Sequence, residues 1–258
     1  MSRIAAAFKT GRKAFIAYVT VGYPSIEATL KVVPLLARSG CDIIELGIPF
    51  SDPLADGATI QQASFRALQN GVTPRLCLKL AGELSRRVDT PLVFMTYFNP
   101  VLHHGLDMFC RDSSLAGVDG LIVPDLPPEE GGDLEAASEK HGLDLIYLLA
   151  PTSTRERIRL VATRSRGFIY LVSVTGVTGA RSELPVGLEA FITRVRRLAH
   201  QPLCIGFGIS TPEQARRVGH LADGVIVGSR IIQLMAAEDD FLSLASFLKG
   251  LRLALDQA

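Results

Sequence analysis

The chain has 258 residues with a formal net charge of +1, and 48% of them are hydrophobic. This length fits one (β/α)8 barrel or two small domains, and the near-zero charge gives no case for a nucleic-acid or membrane partner. No stretch approaches the roughly 18 apolar residues of a membrane-spanning helix. The mean hydropathy of +0.28 is high, which is typical of parallel strands buried on both faces.

The cysteines predict a protein of a reducing compartment. Cys41, Cys77, Cys110 and Cys204 are far apart in the chain, without a C-x-x-C pair and without a histidine at metal-ligand spacing. We therefore expect small core residues, no metal site and a cytoplasmic protein. Residues 1–13 lack the long apolar region of a signal peptide, so none is expected.

Apolar runs alternate with helical patterns along the whole chain. The predicted strands are Ala14–Val19, Ile43–Leu46, Leu92–Thr96, Leu121–Val123, Asp144–Leu149, Phe168–Val172, Leu203–Ile205 and Gly224–Val227. The predicted helices are Ser2–Thr10, one between a Ser25 cap and Gly40, Thr59–Asn70, Pro74–Val88, Asp107–Leu115, Glu129–His141, Thr154–Thr163, Leu188–Leu198, Thr211–Leu221, Arg230–Ala237 and Asp240–Ala254. Eight such units predict a single TIM-barrel domain over residues 1–258, with an extra N-terminal helix at its bottom. An open doubly wound sheet is the alternative.

One stretch, residues 43–57, joins a buried strand to three carboxylates. Glu45 interrupts the apolar run, and Asp52 and Asp56 follow in a loop stiffened by glycine and proline. Burial should raise the pKa of Glu45, which suits a carboxyl that exchanges protons near neutral pH. On the strand alone, a buried glutamate satisfied by a neighbour is an equal interpretation. The carboxylates that follow favour an acid–base site, because active sites form at the C-terminal ends of such strands.

Polar and aromatic side chains collect at the ends of the predicted strands. They are Tyr18, Glu45, Asp56, Tyr97, Asn99, Asp125 and Tyr170. In a barrel these ends share one rim, so the set predicts a pocket with aromatic walls and a few carboxylates. Taken alone, Tyr18 and Tyr170 could be core aromatics, and Asp125 could order its loop.

Glycines follow the last two predicted strands. Gly206-Phe207-Gly208 comes after one and Gly228-Ser229 after the other. Loops at these positions, with the N-terminus of a short helix, form the recurrent phosphate site of such barrels, where backbone N–H groups and the helix dipole stabilise an anion. Turn glycines without a ligand are the alternative. The agreement of the two positions favours a phosphate site.

These motifs resemble a known family. The run ELGIPFSDPLADG from Glu45 to Gly57 is similar to the signature of the tryptophan synthase alpha chain, and the similarity extends over essentially the whole chain. It includes the runs GVDGLIVPDLP at 117–127, YLVS at 170–173, GVTG at 176–179, GFGIS at 206–210 and the pair at 228–229. The first motif is long and specific, whereas the glycine pairs are specific only in company.

The resemblance implies a carbon–carbon lyase of tryptophan biosynthesis. It would split indole-3-glycerol phosphate into indole and glyceraldehyde 3-phosphate by retro-aldol cleavage. Glu45 is implied as the proton carrier, Asp56 as the acceptor of the indole N–H, and Tyr170 as a residue that orients groups or relays protons. The residues implied to line the indole pocket are Tyr18, Met95, Tyr97, Leu126 and Thr178. Those implied to hold the phosphate are Gly179, Phe207, Gly208, Gly228 and Ser229.

The resemblance also implies a partner but no cofactor in this chain. The partner is the pyridoxal-phosphate-containing beta chain, which consumes the indole in an alpha2beta2 heterotetramer. Three alternatives stay open: another phosphate-binding barrel such as indole-glycerol phosphate synthase or a sugar-phosphate isomerase, a non-catalytic regulatory subunit, and a lyase that works alone. The lack of lysine at the predicted strand ends argues against the synthase. The pair of Glu45 and Asp56 argues against a regulatory subunit.

Overall fold

A computed structural model describes residues 2–172, 187–206 and 208–258. In this part of the chain the strands are β1 (Ala14–Thr20), β2 (Ile43–Gly47), β3 (Leu92–Met95), β4 (Gly120–Ile122), β5 (Asp144–Ile146), β6 (Leu148–Leu149), β7 (Ile169–Val172), β8 (Leu203–Gly206) and β9 (Gly224–Val227). The helices are α1 (Arg3–Ala7), α2 (Ile26–Arg38), α3 (Ala58–Gln69), α4 (Pro74–Leu84), α5 (Phe98–His104), α6 (Leu106–Leu115), α7 (Gly132–Lys140), α8 (Arg155–Arg164), α9 (Leu188–Arg196), α10 (Pro212–Gly219), α11 (Ser229–Ala237) and α12 (Leu242–Leu255).

The strands form a ring in the order β5-β4-β3-β2-β1-β9-β8-β7-β6, with parallel pairings. β5 and β6 are the two halves of the predicted fifth strand, and Tyr147 separates them. The Tyr147 N–H donates to the Ser165 hydroxyl, and its carbonyl accepts from the N–H of Tyr170, both at 3.0 Å. Because β5 pairs with β4 and β6 pairs with β7, this stretch completes the ring. The predicted (β/α)8 barrel is confirmed.

The lower half of the barrel interior is apolar and is closed by α1. Its buried side chains are Ile4, Ile16, Ile43, Val93, Ile122, Ile146, Phe168, Cys204 and Ile226. Of these, Ile4 comes from α1 and the others from the strands or the residue before a strand. Arg3 binds both carboxylate oxygens of Asp119 at 3.0 and 2.9 Å, and the Ser2 hydroxyl donates to Asp144. The predicted N-terminal helix at the barrel bottom is therefore confirmed, and hydrogen bonds and an ion pair hold it there.

The helix α5 is absent from the predicted elements. Asn99, predicted to lie at the rim after a strand, is the second residue of this helix and is exposed. The Asp125 carboxylate accepts a hydrogen bond of 2.9 Å from the N–H of Phe98, the first helical residue. Asp125 therefore caps a helix that is distant in sequence, which is the loop-ordering role considered for it above.

Pro34 lies inside α2, and the helix continues past it from Ile26 to Arg38. A proline inside a helix leaves the carbonyl four residues earlier without its usual donor, and here that carbonyl belongs to Leu30. The Arg87 side chain donates to this carbonyl at 3.5 Å. The helix α4 is shorter than predicted, since it ends at Leu84 rather than Val88.

Candidate active site

A cavity of about 890 Å³ opens at the C-terminal ends of the strands. The residues predicted for the site that line it are Tyr18, Asp56, Met95, Tyr170, Gly208, Gly228 and Ser229. They come from six different strands or strand-to-helix loops, so only barrel closure brings them together. Thr178, Gly179 and Phe207 lie outside the described residues.

Glu45 lies in the barrel interior and is fully buried. On β2 it is in register with Tyr18 of β1 and Val93 of β3, both of which face inward. Neither of its carboxylate oxygens has a hydrogen-bond partner among the residues that the structure describes. Burial raises the pKa of Glu45 to about 8, so the group is predominantly protonated at pH 7. Burial, and next the charge of Glu45, raise the pKa of the Tyr170 hydroxyl, which shows that the two groups are close.

Two tyrosines lie across glycines of neighbouring strands. A β-carbon at Gly47 would overlap the Tyr18 hydroxyl, and one at Gly206 would overlap the Tyr170 hydroxyl. The Tyr18 hydroxyl also shares a hydrogen bond of 3.2 Å with Thr20. Glycine at these two strand positions therefore lets both rings lie flat in the upper part of the barrel, where Glu45 lies.

Asp56 is half-buried at the cavity wall, in the loop that follows β2. Burial raises its pKa to about 6, against the opposing effect of a hydrogen bond from the Tyr97 hydroxyl. At pH 7 this carboxyl is therefore mostly ionised, while Glu45 is mostly neutral. The different pKa values suit an ionised acceptor and a protonated donor in one site.

Tyr97 holds the Asp56 loop and does not line this cavity. Its hydroxyl accepts a hydrogen bond of 3.0 Å from the N–H of Ala55, and its ring stacks on Phe50 with centroids 5.2 Å apart. The wall position implied for Tyr97 stays a prediction, and in this structure the Tyr97 hydroxyl contacts the loop that carries Asp56. Leu126 also lies away from the cavity surface, packed in the large cluster between strands and helices.

The opposite side of the cavity is formed by glycines and a helix N-terminus. Gly208 lies after β8, and Gly228 precedes α11, whose first residue is Ser229. No side chain of the described residues caps this N-terminus. The first N–H groups of a helix have no partner within it, and together with the dipole they favour an anion.

The cavity residues missed from the sequence include two groups with charged and polar side chains. One is the β6–α8 connection with the start of α8, including Ser153 and Arg157, and the other is Arg230 with Gln233 on α11. The position of Arg230 directly after Gly228-Ser229 was the available signal for the second group. In the described residues, no cluster of three potential metal ligands occurs, and no helix has the length and apolar character needed to cross a membrane.

Comparisons with known proteins give matches along nearly the whole chain. The family model of the tryptophan synthase alpha chain matches residues 4–247. The alpha chain of Dehalococcoides mccartyi is 59% identical over 256 residues, covering 99% of this chain and 100% of that relative, and that of Geobacter sulfurreducens is 48% identical, covering 99% of each. A tryptophan synthase structure from Mycobacterium tuberculosis superposes with a TM-score of 0.93 at 40% identity, covering 100% of this chain and 99% of that one. The chain belongs to the tryptophan synthase alpha chain family.

Proposed function

We propose that this chain cleaves indole-3-glycerol phosphate to indole and glyceraldehyde 3-phosphate, as the alpha subunit of a tryptophan synthase. The observation that carries the proposal is Glu45, whose two carboxylate oxygens are buried at the aromatic end of the barrel interior and have no partner in the described part of the chain. An unpaired buried carboxyl is costly for stability and is retained where chemistry needs it. Family membership supplies the reaction.

Glu45 acts first as an acid. At neutral pH its raised pKa keeps it protonated, so it donates its proton to C3 of the indole ring. The positive charge that forms on the ring is stabilised by the ionised carboxyl of Asp56, which accepts a hydrogen bond from the indole N–H. Both steps depend on the separate pKa values of the two carboxyls.

Glu45 then acts as a base. Its carboxylate takes the proton from the hydroxyl on the adjacent glyceryl carbon, and the C–C bond breaks as that carbon becomes the aldehyde. The bonding electrons return to the ring and restore indole, so the carboxyl ends the cycle protonated. Tyr170, close to Glu45, orients the reacting groups or relays the proton.

The substrate lies between the two sides of the cavity. Tyr18 and Met95 contact the indole ring, and Gly208, Gly228 and Ser229 bind the phosphate through backbone N–H groups. Thr178, Gly179 and Phe207, outside the described residues, are assigned to the same two subsites on the resemblance alone. Buried, unpaired cysteines support a reducing compartment, and we assign the chain to the cytoplasm.

The beta chain, in an alpha2beta2 assembly, is the proposed partner at the barrel mouth. Leu54, on the loop that carries Asp56, is 92% exposed. An apolar side chain so exposed suits contact with another protein, and docking there would favour the loop conformation that places Asp56 on the ligand. We expect low indole release from the isolated chain and a large gain in kcat with the beta chain.

The test is an indole-release assay with and without a tryptophan synthase beta chain, paired with light scattering. Leu54→Asp should weaken complex formation. Leu115→Asp is the matched control, because this leucine is 81% exposed at the end of α6, on the opposite end of the barrel. A kcat that stays the same at saturating beta chain, with no complex in solution, would favour a lyase that works alone. No indole release in either condition contradicts the proposed reaction.

A further inference from the structure

Two arginines line the cavity in the part of the chain that the structure describes, and they differ in how their charge is balanced. Arg157, on α8, is paired with Glu129 at 2.7 Å. Arg230, on α11, has only a hydrogen bond of 3.4 Å to the neutral amide oxygen of Gln233. Within the described residues, Arg230 therefore brings an uncompensated positive charge to the cavity.

Without a bound anion, the positive charge of Arg230 is unfavourable at its position in α11. Arg230 is the second residue of α11, and Gly228 at the N-cap offers no side chain that could accept from the first turn. A helix N-terminus carries partial positive charge, so a cation there is repelled, whereas cations are favourable at the C-terminus. An anion bound in front of the helix would reverse the sign of this interaction.

The same cavity gives independent evidence that it receives a ligand. The carboxyl of Glu45, which has no partner among the described residues, lies in the upper part of the barrel beside Tyr18 of the cavity wall, and Gly208, Gly228 and Ser229 line the side next to Arg230. Glycines allow close approach of an anion to the backbone but add no net charge of their own. A guanidinium beside them supplies that charge and a planar set of donors that matches phosphate oxygens.

We propose that Arg230 binds the substrate's phosphate group. The side-chain amide N–H groups of Gln233 then donate hydrogen bonds to the outer phosphate oxygens. This inference rests on the proposed function and adds to it a specificity residue. The backbone N–H groups define the shape of the phosphate site, and Arg230 attracts the charged substrate and selects for the phosphate. The contribution is made to substrate and transition state alike, since the phosphate does not react, so it belongs in KM rather than kcat.

The test compares Arg230→Gln with Arg157→Gln. Each variant loses one guanidinium from the same cavity, but only Arg230 is free of a carboxylate partner among the described residues. For Arg230→Gln we expect KM to rise about tenfold to a hundredfold with kcat within about threefold, the scale of one lost charge-assisted hydrogen bond. The dependence of kcat/KM on ionic strength should weaken. Arg157→Gln should change KM by less than about threefold, since a solvent-accessible pair is worth little.

A second measurement does not depend on turnover. Calorimetric binding of glycerol 3-phosphate should weaken in Arg230→Gln and recover partly in Arg230→Lys, which keeps the charge and loses the planar donors. Unchanged KM and unchanged glycerol 3-phosphate affinity in Arg230→Gln, with an active wild type, would overturn the role of Arg230 and leave the lyase proposal intact. A wild type that binds glycerol 3-phosphate through Arg230 but releases no indole would overturn the lyase proposal instead.

Discussion

Two carboxylates, one directly before β2 and one inside it, are both buried but differ in their partners. Asp42, directly before the strand, accepts hydrogen bonds from Arg12 at 2.6 Å, Arg252 at 2.9 Å and the N–H of Phe15 at 2.8 Å. Glu45, inside the strand, accepts no hydrogen bond from any described residue. A difference of three positions therefore separates a fully paired charge at the bottom of the barrel from an unpaired carboxyl toward its mouth.

The contrast extends to the other acidic residues of the barrel. At the bottom, Asp119 pairs with Arg3 and Asp144 accepts from Ser2, and both contacts hold α1 in place. Toward the mouth, burial shifts the pKa of Glu45 and Asp56 upward, and no cation of the described residues opposes this shift. Paired buried charges hold elements together, whereas unpaired ones cost stability and remain free to exchange protons.

The largest expected effect is the loss of catalysis when Glu45, the unpaired carboxyl, is replaced. Glu45→Gln keeps the shape of the side chain but removes its proton exchange, so indole release should fall by roughly 10²–10⁴-fold or more. Steady-state kinetics on folded protein, checked by circular dichroism, measures this. Activity within a few-fold of wild type would remove Glu45 from the mechanism.

Asp42→Asn should act on stability instead. It leaves Arg252, whose side chain is only 9% exposed, with the more exposed Asp256 as its remaining carboxylate among the described residues, and breaking a buried pair costs up to about 3–5 kcal/mol. The free energy of unfolding in urea should drop accordingly, while kcat of the folded enzyme stays unchanged. Glu83→Gln is the control, because its pair with Arg87 is exposed and is worth under about 1 kcal/mol. Equal losses in the two variants would contradict the role of Asp42.

Glu45→Gln should also raise stability, in a pH-dependent way. The pKa of Glu45 is about 8 in the fold and lower in the unfolded chain, so the fold loses stability as pH rises from about 4 to 8. Glutamine does not ionise and escapes this loss. The gain in Tm over wild type should therefore grow between pH 5 and pH 8. The corresponding gain in the free energy of unfolding should reach up to about 3 kcal/mol. A difference in Tm that is constant with pH would contradict an unpaired, protonated Glu45.

The smallest effect concerns the loop that carries Asp56. Tyr97→Phe keeps the stack on Phe50 but removes the hydroxyl that holds Ala55 and lowers the pKa of Asp56. We expect kcat to fall by about tenfold or less. The acidic limb of the pH–rate profile should move to higher pH, because the pKa of Asp56 rises without this hydrogen bond. Tyr147→Phe is the control, since its hydroxyl donates to Glu135 at 2.7 Å, away from the cavity. An acidic limb that stays in place would exclude this positioning role.

Much of the barrel could be predicted from the pattern of apolar runs. Short buried strands separated by helical patterns specify a parallel sheet, and eight of them suffice to close it. The break at Tyr147 could not be predicted, because Ser165 and Tyr170 supply its hydrogen bonds from later units. The helix α5 was missed for a similar reason, since its cap, Asp125, lies in the next unit.

The candidate site divides in the same way. The position of Glu45 within an apolar run is enough to predict its burial and the direction of its pKa shift, because these follow from local pattern and desolvation. Tyr97 was assigned to the pocket wall from its position after a strand, but that position does not say which way the side chain turns. Its contact with Ala55 exists only because β2 and β3 are neighbours in the barrel.

The sequence by itself therefore determined which residues are buried, which strands they belong to and which end of the barrel carries the chemistry. These follow from hydrophobic periodicity, which is local. Only the tertiary structure decided which buried charges are neutralised. Asp42 meets Arg252 from the last helix, whereas no described cation reaches Glu45 and no described carboxylate reaches Arg230. Charge pairing depends on distances of a few ångströms between segments far apart in the chain, so it is settled when the barrel closes.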